Sequence, residues 1–168
     1  MVDERIKTLQ ISALSRINFC FKELKNSPPL KWINDVVDEG SLELSIQNYK
    51  NLTRAQQASF KKTLYEFLDR QSTTEARIML IINYLSALLI EGRNNQISIH
   101  KNFENKMQEI RNFETENKDT LHNLKSARDK LYAHIDLDWQ KYAKSITFDE
   151  FECCIKFLND LFDYRVFD

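Results

Sequence analysis

The chain has 168 residues, enough for one domain with a sizeable hydrophobic core. It contains only two glycines and two prolines, whereas average usage gives about 20 in total. A strand-rich fold needs frequent turns, and phosphate-binding loops need clustered glycines, so both are excluded. The 24 Lys and Arg residues against 25 Asp and Glu residues give a net charge of −1, which excludes a strong overall attraction to nucleic acid. We predict an all-α fold: a single helical bundle of five to six helices over residues 1–168.

The cysteines and the apolar segments indicate the cellular compartment and whether the chain crosses a membrane. Cys153 and Cys154 are adjacent, and neighbours on a helix point about 100° apart, which suits neither a disulfide nor a shared metal. With Cys20 the cysteine count is odd, which favours a reducing compartment. The first residues lack the apolar stretch of a signal peptide, and the run Ile78–Ile90 is too short for a membrane span. We therefore expect a soluble cytoplasmic protein without a membrane segment, cofactor or metal.

Apolar periodicity predicts the first three helices. The first extends from about Asp3 to about Lys25, and residues 30–50 receive no assignment. Helical periodicity returns at Thr53, and Ser72–Glu75 has the form of a capping box that begins a further helix ending at Gly92. The predicted apolar stripe of the first helix consists of Ile6, Leu9, Ala13, Ile17, Cys20 and Leu24.

The second half of the chain predicts three more helices. Ser98 is expected to cap a helix through about Phe113, and a polar stretch over 114–119 leads into a fifth helix at about 118–138. Thr147–Glu150 has the form of another capping box, which begins a closing helix at about 148–165. The expected apolar stripe of this closing helix is Phe148, Phe151, Ile155, Leu158 and Phe162.

Arg128 breaks the pattern of the fifth helix. On a helical wheel it falls in the middle of the expected apolar stripe, where a leucine would be ordinary. A guanidinium keeps its charge, and burying it without a partner costs several kcal/mol. A buried acid, a subunit interface or a cleft built for an anion could each compensate, and the alternative is that the side chain extends to the surface of the bundle.

His134 follows Arg128 by six residues. On an ideal helix the two lie about 120° apart and about 9 Å along the axis, so they flank one groove without pointing at one atom. Two copies of the chain around a two-fold axis would close this gap, which favours a homodimer. His100 and His122 have no partner group at a recognisable spacing, and we expect them to be packed or surface residues.

The segment 128–136, with the sequence RDKLYAHID, resembles the motif of the HEPN superfamily of helical-bundle proteins. It is most similar to the branch named after the AbiU abortive-infection system. The resemblance implies a metal-independent endoribonuclease that acts as a homodimer in phage defence or as a toxin. Arg128 would hold the phosphate and His134 would move protons, and the RNA products would carry a 2′,3′-cyclic phosphate and a 5′-hydroxyl. Whether an antitoxin, a nucleotidyltransferase partner or a phage signal controls the activity stays open.

Four residues around the motif are candidates for supporting roles. Asp129 could orient a cation or repel the RNA backbone, and Lys130 partly offsets its charge. Asp136 could orient His134 or Arg128, or it could be a solvated acid. Tyr132 could stack on a base or belong to the core. The alternative functions are a non-catalytic HEPN module that binds a partner protein or a nucleotide, and a helical scaffold whose resemblance to the family is accidental.

Overall fold

A computed structural model of the chain describes residues 4–26, 51, 53–90, 97–133 and 145–164. Every regular element in these ranges is helical, which confirms the predicted all-α fold. The elements are α1 (Glu4–Lys25), α2 (Arg54–Leu89), two 3₁₀ turns (Ile99–Lys101 and Glu104–Lys106), α3 (Met107–Glu116), α4 (Lys118–Ala133) and α5 (Phe148–Phe162). Asp3 and residues 30–50 lie outside the described residues.

The chain forms two compact units. One comprises Met1–Glu23 and Ile78–Asp168, and the other comprises Leu24–Arg77. The first unit contains α1 as far as Glu23, the end of α2, and α3, α4 and α5. The single domain over residues 1–168 stays a prediction. None of the described helices combines the length and the apolar character that crossing a membrane requires.

The core of the first unit draws on all five helices. Residues with almost no exposed surface include Leu14, Ile17, Ile81, Leu85, Ile110, Leu124 and Leu158. The expected stripe of α1 is confirmed at Ala13, Ile17 and Cys20, but it is wrong at Leu9, whose surface is 48% exposed. Gln10 is buried instead, because its amide Nε2 donates to the carbonyls of Ile97 (3.0 Å) and Ser98 (3.4 Å). The amide nitrogen of Gln10 thus anchors this face of α1, whereas its Oε1 is buried without a hydrogen-bond partner among the described residues.

Helix α2 passes through the position where the sequence predicts a break. Thr73 Oγ1 donates to the Asp69 carbonyl at 2.9 Å, so the hydroxyl bonds back into its own helix instead of capping a new one. The capping box predicted at Ser72–Glu75 is therefore wrong. The resumption of helical structure at Thr53 is confirmed, because the Thr53 amide donates to Gln56 Oε1 at 2.9 Å and the Gln56 amide donates back to Thr53 Oγ1 at 3.4 Å. Gly92 lies outside the described residues.

The predicted start of the closing helix is confirmed. The Glu150 amide donates to Thr147 Oγ1 at 3.2 Å, and the Thr147 amide donates to Glu150 Oε2 at 2.6 Å, which completes a capping box. Phe151, Ile155 and Leu158 are buried as expected, whereas Phe148 is 45% exposed. Phe162 packs edge-on against Phe103, with ring centroids 4.9 Å apart.

The connection before α4 differs from the expectation. Ser98 precedes a 3₁₀ turn and makes no capping hydrogen bond with its side chain, and α3 begins only at Met107. The stretch 114–119, expected to be a polar connection, is mostly helical, because α3 continues to Glu116 and only Asn117 separates it from α4. The Asn117 carbonyl accepts from the Leu121 amide at 2.9 Å, so the first hydrogen bond of α4 is formed immediately after the end of α3.

Candidate functional site

Helix α4 carries the motif residues and is anchored on its buried face. Thr120, Leu124 and Ala127 are buried at steps of four and three residues. Thr120 Oγ1 donates to Glu150 Oε1 of α5 at 2.7 Å, and Ser86 Oγ of α2 donates to the Leu124 carbonyl at 3.2 Å. These bonds fix the rotation of α4, so the solvent-facing side of the helix is defined.

Arg128 lies at the edge of this buried face. On an ideal helix it is about 70° from the middle of the face formed by Thr120, Leu124 and Ala127. Its side chain is 25% exposed, so the charge keeps contact with water. The expectation that Arg128 sits in the middle of the apolar stripe is wrong, because the polar Thr120 and the small Ala127 take the buried positions.

Asp129 holds the Arg128 guanidinium. Nε and Nη2 of Arg128 both donate to Asp129 Oδ1, at 3.0 and 2.7 Å. The Asp129 side chain is more than half exposed, and an exposed ion pair of this kind contributes about 0–1 kcal/mol to stability. The pair therefore orients the guanidinium more than it stabilises the fold, and the N–H groups that do not face Asp129 can bind an anion.

The structure brings two of the six predicted site residues together, namely Arg128 and Asp129. Lys130 lies in the last turn of α4 and is partly exposed, and Tyr132 belongs to the same turn. His134 and Asp136 lie outside the described residues, so their position beside Arg128 stays a prediction. The motif helix, predicted at about 118–138, is described as far as Ala133.

A second polar cluster, around His100, was missed by the sequence reasoning. The His100 side chain is only 3% exposed. Its Nε2 lies 2.7 Å from Glu114 Oε1, its Nδ1 lies 2.7 Å from Ser98 Oγ, and Arg111 Nη1 donates to Glu114 Oε2 at 3.0 Å. Because a carboxylate only accepts, Nε2 carries a hydrogen, and with a neutral ring the Ser98 hydroxyl donates to Nδ1.

The Ser98–His100–Glu114 cluster contains the residue types of a hydrolytic triad but lacks access to substrate. Ser98 is only 1% exposed, so its Oγ cannot meet an external electrophile. The surroundings instead indicate a structural role. Gln10 of α1 bonds the carbonyl of Ser98, and Glu114 is part of α3, so the cluster ties the turn at 97–101 to two helices. His100 is thus a packed residue, as expected, whereas His122 is exposed on α4.

The adjacent cysteines point in different directions, as predicted. Cys153 is exposed and Cys154 is buried, and all three cysteines are free thiols. Burial, together with the nearby Cys153 and Glu150, raises the pKa of Cys154 to about 12, so this thiol stays protonated and unreactive near neutral pH. Within the described ranges, no group of three or more His, Cys, Asp and Glu residues is arranged to hold a metal ion.

Comparison of the chain with family models, with curated proteins and with solved structures finds no match. The resemblance to the HEPN superfamily therefore depends on the residues of segment 128–136.

Proposed function

We propose that the chain is an HEPN-type, metal-independent endoribonuclease of a phage-defence or toxin system, active as a homodimer. The observation that carries the proposal is the Arg128–Asp129 pair, in which Asp129 orients a partly exposed guanidinium that precedes the motif histidine by six residues in the sequence. A planar cation in a defined orientation suits the two oxygens of a phosphodiester.

In the proposed reaction, RNA is cleaved by its own 2′-hydroxyl. His134 accepts the proton of this hydroxyl while the oxygen forms a bond to phosphorus. The bond from phosphorus to the 5′-oxygen breaks, and a protonated imidazole returns a proton to the leaving oxygen. Arg128 stabilises the negative charge that grows on the phosphate oxygens. The products are a 2′,3′-cyclic phosphate and a 5′-hydroxyl.

The supporting residues take roles around this reaction. Asp129 orients Arg128, Lys130 adds positive charge to the same turn, and Asp136 orients His134. Tyr132 stacks on a base of the substrate. A homodimer brings two copies of Arg128 and His134 to one cleft. An antitoxin or a nucleotidyltransferase is the proposed controlling partner.

The test is cleavage of labelled single-stranded RNA by purified protein in the presence of EDTA, with analysis of the product ends. Loss of a proton-transfer group costs about 10²–10⁴-fold in rate, and loss of a charge-stabilising donor costs about 10²–10³-fold. We therefore expect both His134→Ala and Arg128→Ala to be nearly inactive, and we expect added imidazole to restore part of the His134→Ala activity.

The matched control for Arg128→Ala is Arg54→Ala, which removes an exposed arginine at the start of α2. It should cleave like the wild type. Cleavage that survives in His134→Ala at the wild-type rate would contradict the proposal, as would products that end in a 3′-hydroxyl.

The second candidate function is a non-catalytic HEPN module that binds a partner protein or a nucleotide. The Arg128–Asp129 pair also favours this candidate, because the two opposite charges satisfy each other and can serve as a structural contact at an interface. One variant, Arg128→Ala, distinguishes the two candidate functions. Arg128→Ala would weaken self-association or stability in a binding module, with no cleavage to lose, whereas in a ribonuclease it removes cleavage and leaves the helical circular dichroism unchanged.

A further inference from the structure

The exposed side of α4 carries a row of basic residues. Lys118, His122 and Lys125 are separated by four and three residues, which places them within about 60° of one another around the helix. All three are exposed. They lie on the side opposite to the buried face of α4, whose packing against α2 and α5 keeps the row turned toward solvent.

Neither lysine of this row is paired with an acid within the described part of the chain. Lys118, His122 and Lys125 make no hydrogen bond or ion pair there. Asp129 follows on the same side of α4, but its carboxylate is engaged by Arg128. Asp119 lies about 100° from Lys118 and about 60° from His122 around the helix. Over residues 118–130 there are four cations (Lys118, Lys125, Arg128 and Lys130) and two anions (Asp119 and Asp129), so this segment has an excess of positive charge on a chain whose net charge is −1.

We propose that Lys118, His122 and Lys125 form a track for the phosphate backbone of single-stranded RNA that leads to Arg128. The proposal rests on the proposed function, since it takes Arg128 as the point of cleavage. Lys118 and Lys125 lie about 10 Å apart along the helix axis. Projected on the axis of a stacked strand, with a rise of roughly 3.4 Å per nucleotide, this length corresponds to about three nucleotides. A single row suits one strand, and a single strand leaves its 2′-hydroxyl free to rotate into line for attack.

The salt dependence of RNA binding tests the track. The probe is a fluorescent single-stranded RNA with 2′-O-methyl groups, which binds but cannot be cleaved, and the readout is anisotropy over a series of salt concentrations. Each phosphate contact contributes about 0.7 to the slope of log K against log salt for single strands. Lys118→Ala/Lys125→Ala should therefore reduce the slope by about 1.4, and His122→Lys should increase it by at most about 0.7.

The matched control is Lys7→Ala/Lys156→Ala, which makes the same change in net charge at exposed positions of α1 and α5. It should leave the slope unchanged. An equal loss of slope in the control would overturn the proposal, because binding would then depend on total charge. Binding of anionic phospholipid vesicles that depends on the row, without any binding of RNA, would overturn the assignment to RNA.

Failure of the track and failure of the ribonuclease proposal give different results. If cleavable RNA is cut by the wild type but the slope is unchanged in Lys118→Ala/Lys125→Ala, the track is contradicted and the ribonuclease is supported. If the slope falls as expected in Lys118→Ala/Lys125→Ala but the wild type does not cleave RNA, the track is supported and the catalytic proposal is contradicted.

Discussion

Glu114→Ala tests whether the buried His100 cluster stabilises the fold. In the wild type the His100 side chain is 3% exposed, and its Nε2 donates to Glu114 Oε1 at 2.7 Å. Removal of the carboxylate leaves a buried ring N–H without an acceptor, which costs about 1–3 kcal/mol. Loss of the Arg111–Glu114 pair adds at most about 0.5 kcal/mol, because Arg111 is 50% exposed. We expect the free energy of unfolding to fall by about 1–3 kcal/mol.

Urea denaturation followed by far-ultraviolet circular dichroism measures this loss. With an m value of about 2 kcal/mol/M, the midpoint should move down by roughly 0.5–1.5 M. Arg111→Ala is the control, since it removes the exposed pair and keeps the bond to His100, and its midpoint should move by less than about 0.3 M. Glu114→Gln keeps an acceptor and should lie between the two. A midpoint for Glu114→Ala equal to that of Arg111→Ala would refute the reasoning.

Three further predictions concern α5. Thr147→Ala should lower the free energy of unfolding by about 1 kcal/mol in the urea assay, because the capping hydrogen bond is lost. Thr147→Ser keeps the hydroxyl and should resemble the wild type, so equal losses in the two variants would contradict the capping role. Burial alone would raise the pKa of Glu150, but hydrogen bonds from the Thr147 amide, the Thr120 hydroxyl and the Thr147 hydroxyl hold that pKa below its ordinary value of 4.5. The stability from a lowered carboxyl pKa is present above the unfolded pKa and is lost as the pH falls through the folded one. The melting temperature of Glu150→Gln should therefore fall less steeply than that of the wild type below pH 4.5, and identical slopes would count against the bonds. Iodoacetamide near neutral pH should label Cys153 before Cys154, because burial raises the pKa of Cys154 to about 12, and peptide mass spectrometry showing equal labelling would contradict this.

A capping-box pattern in the sequence does not always mark the start of a helix. Thr147–Glu150 and Ser72–Glu75 have the same form, yet only the first begins a helix. The second lies within α2, where no glycine or proline interrupts the chain and Thr73 bonds back to Asp69. A capping box thus shows that a helix can start at a position, and the surrounding residues decide whether it does.

The rotation of helices was harder to predict than their existence. Gln10 is buried and Leu9 is exposed on α1, because the Gln10 amide has carbonyl partners in the turn near Ser98. On α4, Thr120 is buried because it donates to Glu150, and this moves Arg128 to the edge of the buried face. A hydrophobicity pattern does not predict that these polar residues are buried, because their hydrogen-bonding partners are distant in the sequence.

Separation in the sequence also explains why the His100 cluster was not predicted. Ser98 is two residues before His100 and Glu114 is fourteen residues after it, and the turn between them has no regular period. In contrast, Arg128 and Asp129 are neighbours in the sequence, so their pairing could be predicted from it. The residues that the sequence predicted as the site are those of a contiguous motif, because contiguity needs no knowledge of the fold.

The ribonuclease proposal is tested most directly by controlled expression in a bacterial host, with wild type beside His134→Ala and total RNA analysed on a gel. The proposal predicts growth arrest and cleaved RNA in the wild type alone, with 2′,3′-cyclic phosphate ends on the fragments. Cleavage that persists in His134→Ala would contradict it, and equal growth with intact RNA in both strains would favour the non-catalytic binding module.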